Sequence, residues 1–418
     1  MIVEIVKIKK IVYGGQGLAD MIDGRKVFVW NGLPGEVVKV QVIKERPSYY
    51  EAIAIEIIKP SPLRRIPKDD NFLSTSPWQI LDLLTETKLK VELVNELLNH
   101  HSIEVKSPTV INGDDKDWNY RNKMEYSFWG DDDGLHLALY KRDSHIKEKV
   151  LGSALAMPSI DESAQNIVDQ LNQMGVRASS LKSLIIRANQ EGQTMASLFV
   201  KDNFNQSFIL NKPIVGIEVF YSNPRSPASL ATKLINHQGD LFLKDVLNNH
   251  QSFLYSSRSF FQINVPVYRL VLEKMKNYLS SNEIVDLYSG VGSIGLSIAK
   301  ESVSLIDNDQ VNLDFANKNA LNLGLQVQIY CQSAETIRDD ILSKTIVIDP
   351  PRSGIHSRLL DLIRNKSPEM IGYLSCNPIT QIRDLKLLND IYRVEDLSLY
   401  NFFPHTPHIE SLAILKKR

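Results

Sequence analysis

The hydrophobic and polar positions of this chain follow three different patterns along its length. In residues 1–59, short runs such as 37–43 alternate apolar and polar side chains, and glycine-rich turns separate the runs. This alternation predicts short, half-buried strands, and the close spacing of the turns predicts a small β-barrel. The proline-rich stretch 60–67 is typical of a linker that follows such a domain.

A long helical pattern begins the second segment, residues 60–250. Apolar side chains recur three or four positions apart from about Pro77 to His100, which predicts a helix near residues 78–100. We expect this helix to pack on the C-terminal domain. The rest of the segment predicts a mixed α+β domain, with short strands at 184–187 and 195–200.

The third pattern, in residues 251–418, alternates apolar strands with helices. The predicted strands lie at 284–288, 303–306, 327–331, 345–349, 370–375, 394–399 and 411–415, and the helices begin near Val291, Asp309, Ser357 and Thr380. This order predicts an α/β fold with a doubly wound sheet and a final antiparallel strand. Ligands bind beyond the carboxyl ends of strands in such sheets, so residues that follow a strand are candidates for chemistry.

Composition narrows the classes of protein that fit. The 418 residues are 43% hydrophobic and 23% charged, no apolar run is long enough to cross a bilayer, and the N-terminus shows no leader pattern. Two cysteines cannot build a disulfide framework, which favours a reducing cytoplasm. The net charge of −1 does not point to a nucleic-acid partner, although a local basic face is compatible with it.

A glycine-rich turn, DLYSGVGSIG at 286–295, follows the first strand of the third segment. Its glycines let a ligand approach the backbone closely, and Asp307 at the end of the next strand suits a pair of ribose hydroxyls. The spacing fits a nicotinamide cofactor as well as S-adenosylmethionine. A tight turn without any ligand is the third interpretation of this motif.

The motif DPPR at 349–352 follows another strand. A proline pair cannot continue a central strand, so this loop is expected beyond the strand end and facing the same crevice. Asp349 suits a cofactor contact or a bracing role. Arg352 suits a phosphate or the edge of a pyrimidine.

Cys376 lies in the motif SCNP at 375–378, where a predicted strand ends. A lone cysteine at a strand end is more often a small buried hydrophobe than a nucleophile, and this is our interpretation of Cys331. Glu410 begins the last strand beside prolines, where partial desolvation would raise its pKa toward that of a useful base. His405 and His408 precede it and are interpreted as structural.

Together these motifs resemble those of the RNA 5-methyluridine methyltransferase family. FFQIN at 260–264, DLYSGVG at 286–292, DPPR at 349–352, SCNP at 375–378 and FPHTPHIE at 403–410 occur in that family's order. LPGE at 33–36 and the glycine-rich turns before it resemble the TRAM domain, an OB-like RNA-binding barrel. YRNKM at 120–124 resembles a motif of the family's central domain.

The resemblance implies a TRAM domain at 1–59, a central RNA-binding domain at 60–250 and a Rossmann-like, S-adenosylmethionine-dependent methyltransferase domain at 251–418. It implies methyl transfer to C5 of a uridine through a covalent adduct, with Cys376 as the nucleophile and Glu410 as the general base. The remaining roles that it implies are cofactor binding by Gln262, Tyr288, Gly290, Gly292, Asp307 and Asp349, and RNA binding by Arg121, Lys123 and Arg352.

The resemblance also carries expectations about partners and alternatives. We expect structured RNA as substrate, with 23S ribosomal RNA first and a T-loop uridine of tRNA second, and a cytoplasmic monomer. A nicotinamide-dependent oxidoreductase would explain the glycine loop but not the pairing of Cys376 with Glu410. A non-catalytic RNA-binding protein that keeps the fold is the other alternative. Further candidates for a basic RNA face are Lys7, Lys9, Lys10, Arg64 and Arg65.

This sequence differs from many members of the family in its cysteine count and at three further positions. Many relatives hold an iron–sulfur cluster on four cysteines, and a chain with two cysteines cannot supply them, so no cluster is expected. Ser289 stands where a cysteine is common in the glycine loop. Ser333 and Asn401 stand where acids are common, which leaves the contacts to adenine near Ser333 open.

Overall fold

The computed structural model describes residues 2–105, 110–111, 116–226, 230–248 and 251–418 of the chain. The strands found there are β1 (Val3–Lys7), β2 (Lys10–Ile11), β3 (Gly17–Asp20), β4 (Lys26–Trp30), β5 (Val37–Glu45), β6 (Tyr49–Lys59), β7 (Val110–Ile111), β8 (Lys123–Asp131), β9 (Gly134–Tyr140), β10 (Lys147–Lys149), β11 (Leu181–Ala188), β12 (Thr194–Val200), β13 (Ile214–Tyr221), β14 (Lys233–Gly239), β15 (Leu243–Val246), β16 (Ser252–Tyr255), β17 (Glu283–Leu287), β18 (Ser302–Asp307), β19 (Gln326–Cys331), β20 (Thr345–Ile348), β21 (Met370–Ser375), β22 (Tyr392–Tyr400) and β23 (Glu410–Lys417).

The α-helices found there are α1 (Phe72–Thr75), α2 (Leu83–His101), α3 (Pro158–Gln173), α4 (Val265–Leu279), α5 (Gly295–Ile298), α6 (Gln310–Leu323), α7 (Ser357–Lys366) and α8 (Pro378–Leu388). Within these described ranges, no helix combines the length and the apolar character that crossing a bilayer would require.

The N-terminal strands form one six-stranded sheet in the order β1-β5-β6-β4-β3-β2. Alternate side chains of its strands are buried, as Val27 and Val29 on β4 and Val38 and Val40 on β5 illustrate with no exposed surface. The period of two in the sequence therefore corresponds to one buried and one outer face. The predicted small β domain at the N-terminus is confirmed.

The middle of the chain forms a seven-stranded sheet in the order β10-β9-β8-β11-β12-β13-β14, with α3 against one face. Ile160, Ala164, Ile167 and Leu171 recur at helical spacing along α3 and join the apolar core between helix and sheet. This arrangement agrees with the mixed α+β domain expected from the sequence.

The C-terminal domain has an eight-stranded sheet in the order β19-β18-β17-β20-β21-β23-β22-β7. Strands β17 to β21 run parallel, and β23 lies antiparallel between β21 and β22. The predicted doubly wound sheet with a final antiparallel strand is confirmed. The two-residue strand β7, which precedes the domain by about 140 residues in the chain, pairs parallel with β22 at the sheet edge and was not expected.

Two sequence predictions about this domain are wrong. Cys331 is exposed and is not a buried hydrophobe, because β19 is the edge strand of the sheet. The helix expected from Val291 begins only at Gly295 and spans four residues. The backbone first passes through positive φ at Gly290 and Gly292, which a helix cannot accommodate, so residues 291–294 form turns.

Helix α2 begins at Leu83, later than the apolar pattern indicates, because the Asp82 side chain accepts a hydrogen bond from the Thr85 amide and caps it. The apolar residues before Asp82 lie in buried turns instead. Val94 and Leu98 of α2 pack into the apolar core under β20 and β21, beside α7 and α8. The domain boundaries at 59 and 250 stay predictions.

Candidate active site

Cys376 and Glu410 face each other across the end of two paired strands. In the antiparallel pairing of β21 with β23, Ser375 lies opposite Ser411. Cys376 directly follows Ser375 and Glu410 directly precedes Ser411, so the pairing sets the two residues opposite each other at the carboxyl end of β21. Both also line one cavity, although they are 34 positions apart in the sequence.

This cavity has a volume of about 510 Å³ and lies beyond the carboxyl ends of β17, β18, β20 and β21. It brings together eight of the predicted site residues, which are Gln262, Tyr288, Gly290, Asp307, Asp349, Arg352, Cys376 and Glu410. Phe260, Phe261 and Phe403 add apolar walls. The cavity thus brings polar groups suited to a ligand together with a thiol, a carboxyl group and a guanidinium.

Gly292, Arg121 and Lys123 are not among the residues that line this cavity. Gly292 has a φ of +79°, and a Cβ there would lie 2.8 Å from Leu296 Cδ1, so its glycine serves the turn. Arg121 and Lys123 lie on either side of Asn122, whose side-chain amide donates to the Gln262 carbonyl at 3.0 Å. The predicted RNA contacts of the two basic residues stay predictions.

The glycine-loop side of the cavity suits a nucleoside. Asp307 Oδ2 accepts a hydrogen bond from the Gly290 amide at 2.9 Å, and its Oδ1 accepts from the Asp309 amide at 2.8 Å, which fixes the carboxylate at the end of β18. Tyr288 has a φ of +64°, a conformation uncommon for a non-glycine residue and often found at functional sites. A second cavity of about 590 Å³, lined by Tyr288, Asp307 and Ser333, adjoins this side.

These features fit S-adenosylmethionine. The glycine loop leaves its backbone accessible to a ligand, and the Asp307 carboxylate lies where it could bind the hydroxyls of a ribose. The aromatic walls of the cavity suit an apolar group or a group that carries a sulfonium. Gln262 Nε2 donates to Asp349 Oδ2 at 3.3 Å, so two of the predicted cofactor residues are joined. Burial raises the pKa of Asp349 to about 7, and the hydrogen bond from Gln262 opposes this rise.

The electrostatics around Cys376 disfavour its thiolate in the free protein. Burial is the main cause that raises the pKa of the thiol to about 11, and the negative charges of Glu410 and Asp349 contribute to this rise. The positive charge of Arg352 acts in the opposite direction. Arg352 is therefore the group on this side of the cavity that favours the ionised form of Cys376.

Glu410 is buried with only 2% of its surface exposed. Burial raises the pKa of this carboxyl group well above its ordinary value, the nearby charge of Asp349 raises it further, and Arg352 lowers it. A carboxylate with a raised pKa binds a proton more strongly, which suits a group that must take a proton from carbon.

Asp384 on α8 holds the loop that carries Arg352 in place, and the sequence alone did not indicate this residue. Asp384 Oδ2 accepts hydrogen bonds from the Ile355 amide at 2.8 Å and from the Tyr373 hydroxyl at 2.9 Å. No motif marks Asp384 in the sequence, because its role depends on α8 packing beside this loop. It fixes the base of the loop against the sheet.

The tail segment before Glu410 is anchored by a buried ion pair on α2. Lys90 Nζ donates to Glu86 Oε1 at 2.7 Å and to Asn401 Oδ1 at 2.8 Å, and Glu86 Oε2 accepts from the His405 amide at 2.8 Å. Asn401, which stands where relatives often have an acid, therefore has a structural partner in this chain. The ring of His405 also stacks on Trp118 with centroids 3.8 Å apart.

Removing Lys90 should strongly destabilise the protein. Lys90→Ala would leave the carboxylate of Glu86 buried without its partner, which costs about 3–5 kcal/mol of unfolding free energy. Chemical denaturation followed by circular dichroism measures the change. The matched control is Lys10→Ala, which removes an exposed ion pair to Glu96 on the same helix and should change the unfolding free energy little. Equal stability of Lys90→Ala and the parent protein would contradict the anchoring role.

The doubly wound sheet, the glycine loop and the cavity at the strand ends fit the class of S-adenosylmethionine-dependent methyltransferases. Sequence comparison gives the family. Residues 227–418 match the family described as tRNA (Uracil-5-)-methyltransferase, and residues 3–55 match the TRAM domain. The C-terminal part of the chain thus carries a domain of this RNA (uracil-5-)-methyltransferase family, and the N-terminal part carries a TRAM domain. Methyl transfer therefore replaces the nicotinamide alternative.

Full-length relatives support the same assignment. A protein of Enterococcus faecalis named an uncharacterized RNA methyltransferase is 27% identical over 443 residues, covering 99% of this chain and 96% of the relative. A Fusobacterium nucleatum protein with the same description is 27% identical over 452 residues, covering 99% and 95%. The solved tRNA (uracil-54, C5)-methyltransferase of Pyrococcus abyssi, in complex with S-adenosyl-L-homocysteine, superposes with a TM-score of 0.81 at 21% identity, covering 99% of this chain and 100% of that chain. This likeness shows the shared fold.

Proposed function

We propose that this methyltransferase acts on C5 of a uridine in structured RNA through a covalent bond between Cys376 Sγ and uracil C6. The observation that supports this most directly is the placement of Cys376 opposite Glu410 across the β21–β23 pair, with Arg352 in the same cavity. C5 of uracil is a poor nucleophile by itself. A thiolate that adds to C6 makes C5 an enolate-like carbon able to attack a methyl group.

The proposed sequence of bonds assigns one task to each side chain. Cys376 loses its proton and its sulfur bonds to C6, while electron density moves to C5 and the O4 carbonyl. C5 then attacks the methyl carbon of the cosubstrate S-adenosylmethionine, and the bond between that carbon and the sulfonium sulfur breaks. Glu410 then removes the proton from C5, the C5–C6 double bond returns, and the bond between C6 and Cys376 Sγ breaks. The products are 5-methyluridine, S-adenosylhomocysteine and one proton.

Gln262, Tyr288, Gly290, Asp307 and Asp349 are proposed to bind the cofactor. Arg352 is proposed to stabilise the Cys376 thiolate. The reacting uracil must reach a thiol that lies within a cavity, so we expect the target nucleotide to leave its base stack. The proposed monomeric state and cytoplasmic location rest on the sequence alone.

We propose 23S ribosomal RNA as the first candidate substrate, because a TRAM domain accompanies ribosomal members of the family more often than bacterial tRNA members. Transfer RNA is the second candidate. The specific observation in its favour is the likeness, over the whole chain, to the fold of a methyltransferase whose description names uracil 54 of tRNA.

The substrate is tested by mapping 5-methyluridine in ribosomal and transfer RNA from cells with and without this protein. The expected result is loss of the modification at one or more uridines of the large-subunit ribosomal RNA, with recovery on re-expression of the parent protein and no recovery with Cys376→Ala. Loss confined to tRNA would select the second candidate. No loss in either RNA would contradict both.

A further inference from the structure

The N-terminal barrel reaches the active site through the loop between β2 and β3. In this loop the Gly15 carbonyl accepts a hydrogen bond from Trp78 Nε1 at 3.0 Å. A Cβ at Gly15 would lie only 2.4 Å from Pro407 Cβ, so the loop packs directly on the segment that leads to Glu410. The barrel therefore packs directly against the catalytic domain at this loop.

Tyr13 of the same loop contacts the residue next to the nucleophile. Its hydroxyl donates to Asn377 Oδ1 at 3.1 Å, and Asn377 Nδ2 donates to the Arg352 carbonyl at 2.8 Å. Asn377 directly follows Cys376, and Arg352 lines the same cavity as Cys376, where its positive charge favours the thiolate. One chain of hydrogen bonds thus joins the barrel to the group that stabilises the thiolate.

We propose that Tyr13 is a positioning residue of the catalytic centre, whose hydroxyl orients Asn377 so that the Arg352 loop stays against Cys376. This inference rests on the proposed role of Cys376 as the nucleophile. It adds that the barrel completes the active site as well as carrying an RNA-binding fold, so Cys376 would ionise less readily in a catalytic domain without the docked barrel.

The chemistry of the Asn377 amide explains why a hydroxyl is needed. An amide presents an acceptor on one side and a donor on the other, so its orientation is fixed only if both partners are in place. The Tyr13 hydroxyl satisfies Oδ1 and thereby turns Nδ2 toward the Arg352 carbonyl. Without the hydroxyl, the amide loses this constraint and the Arg352 backbone loses part of its support.

The effect on the thiol follows from the charges around it. The titratable and charged groups that face the Cys376 thiol are Glu410, Asp349, Arg352 and Tyr13. Glu410 and Asp349 oppose ionisation, and Arg352 favours it. An Arg352 that moves away weakens its attraction for the thiolate while both carboxyl groups remain. Removing the Tyr13 hydroxyl should therefore raise the pH at which Cys376 ionises.

The test is the pH dependence of Cys376 alkylation by iodoacetamide in full-length protein that carries Cys331→Ser, which removes the exposed second thiol. Tyr13→Phe keeps the ring and removes the hydroxyl. We expect the alkylation midpoint to move upward and the rate at neutral pH to fall roughly 3- to 10-fold, the range that loss of one hydrogen bond produces. Tyr49→Phe is the matched control, since this barrel tyrosine packs on Phe28, and it should leave the midpoint in place.

A double-mutant cycle separates positioning from a general loosening of the structure. Asn377→Ala alone should raise the midpoint at least as much as Tyr13→Phe, and adding Tyr13→Phe to it should have no further effect. An unchanged midpoint in Tyr13→Phe, or an equal additional shift in the Asn377→Ala background, would overturn the inference. Alkylation needs neither RNA nor cofactor, whereas full methyl transfer by Cys376→Ala would instead refute the proposed function.

Discussion

Replacing Cys376 with alanine is expected to abolish methyl transfer to RNA while leaving cofactor binding intact. Without the thiol, no covalent bond can form at uracil C6, and C5 remains too weak a nucleophile to attack the methyl group. We expect turnover to fall on the order of 10⁴-fold or more, as it does when a covalent nucleophile is removed from an enzyme. Transfer of labelled methyl groups to substrate RNA measures turnover, and calorimetry measures cofactor affinity.

Cys331→Ala is the matched control for this experiment. Cys331 is exposed at the end of the edge strand β19, so its replacement should leave turnover near that of the parent protein. Substantial activity in Cys376→Ala would rule out covalent catalysis by this residue. Loss of cofactor binding in the same variant would show that the cysteine acts by shaping the cavity.

Replacing Glu410 with glutamine is expected to trap the enzyme on ordinary RNA. Thiol addition and methyl transfer do not need the Glu410 carboxylate as a base, but removal of the C5 proton does. Turnover should fall roughly 10²- to 10⁴-fold, and a methylated protein–RNA adduct should accumulate. Denaturing gel electrophoresis with labelled RNA detects this adduct. Removing the negative charge should also lower the pKa of Cys376, since Glu410 raises it in the parent protein.

The control for Glu410→Gln is Glu395→Gln, which changes an exposed glutamate on the neighbouring strand β22. It should turn over normally and leave no stable adduct. If Glu410→Gln also turned over normally, another group would have to be the base. If it lost activity without forming an adduct, Glu410 would act before or during the addition of the thiol.

Strand ends are the part of this site that the sequence predicts well. Cys376, Glu410, Asp307 and Asp349 each stand at the end or beginning of an apolar run, and a doubly wound sheet brings such positions to one edge. The pairing that sets Cys376 opposite Glu410 needs β23 to insert antiparallel beside β21. The sequence indicated such a strand at the C-terminus, but only the fold gives its register.

Contacts between distant segments are the part that the sequence does not predict. Tyr13 and Asn377 are 364 positions apart, and Lys90 and Asn401 are 311 positions apart, so no local pattern connects them. The role of Asp384 likewise cannot be predicted from the sequence, because it depends on how α8 packs beside the loop that carries Arg352. The contacts of these residues depend on how distant segments pack together, which periodicity along one segment does not encode.

The structure departs from the apolar pattern in two further places, one for a local reason and one because of the strand order. The pattern before Leu83 reads as helix, yet the Asp82 cap begins the helix there and leaves Trp78 in a buried turn. At Cys331 the strand was identified correctly, but its place at the sheet edge makes the thiol exposed. Whether a strand residue is buried depends on the order of strands in the sheet. The local sequence of a strand does not say whether that strand lies at the edge or in the centre.

The covalent bond between Cys376 and uracil C6 can be observed by mass spectrometry of a trapped complex. RNA that carries 5-fluorouridine at the target should be methylated and then remain bound to the protein, since a base cannot remove fluorine from C5. After digestion, we expect the peptide that contains Cys376 to carry one methylated fluorouridine nucleotide. Absence of the adduct when intact protein is supplied with S-adenosylmethionine, or its presence on a residue other than Cys376, would rule out this bond.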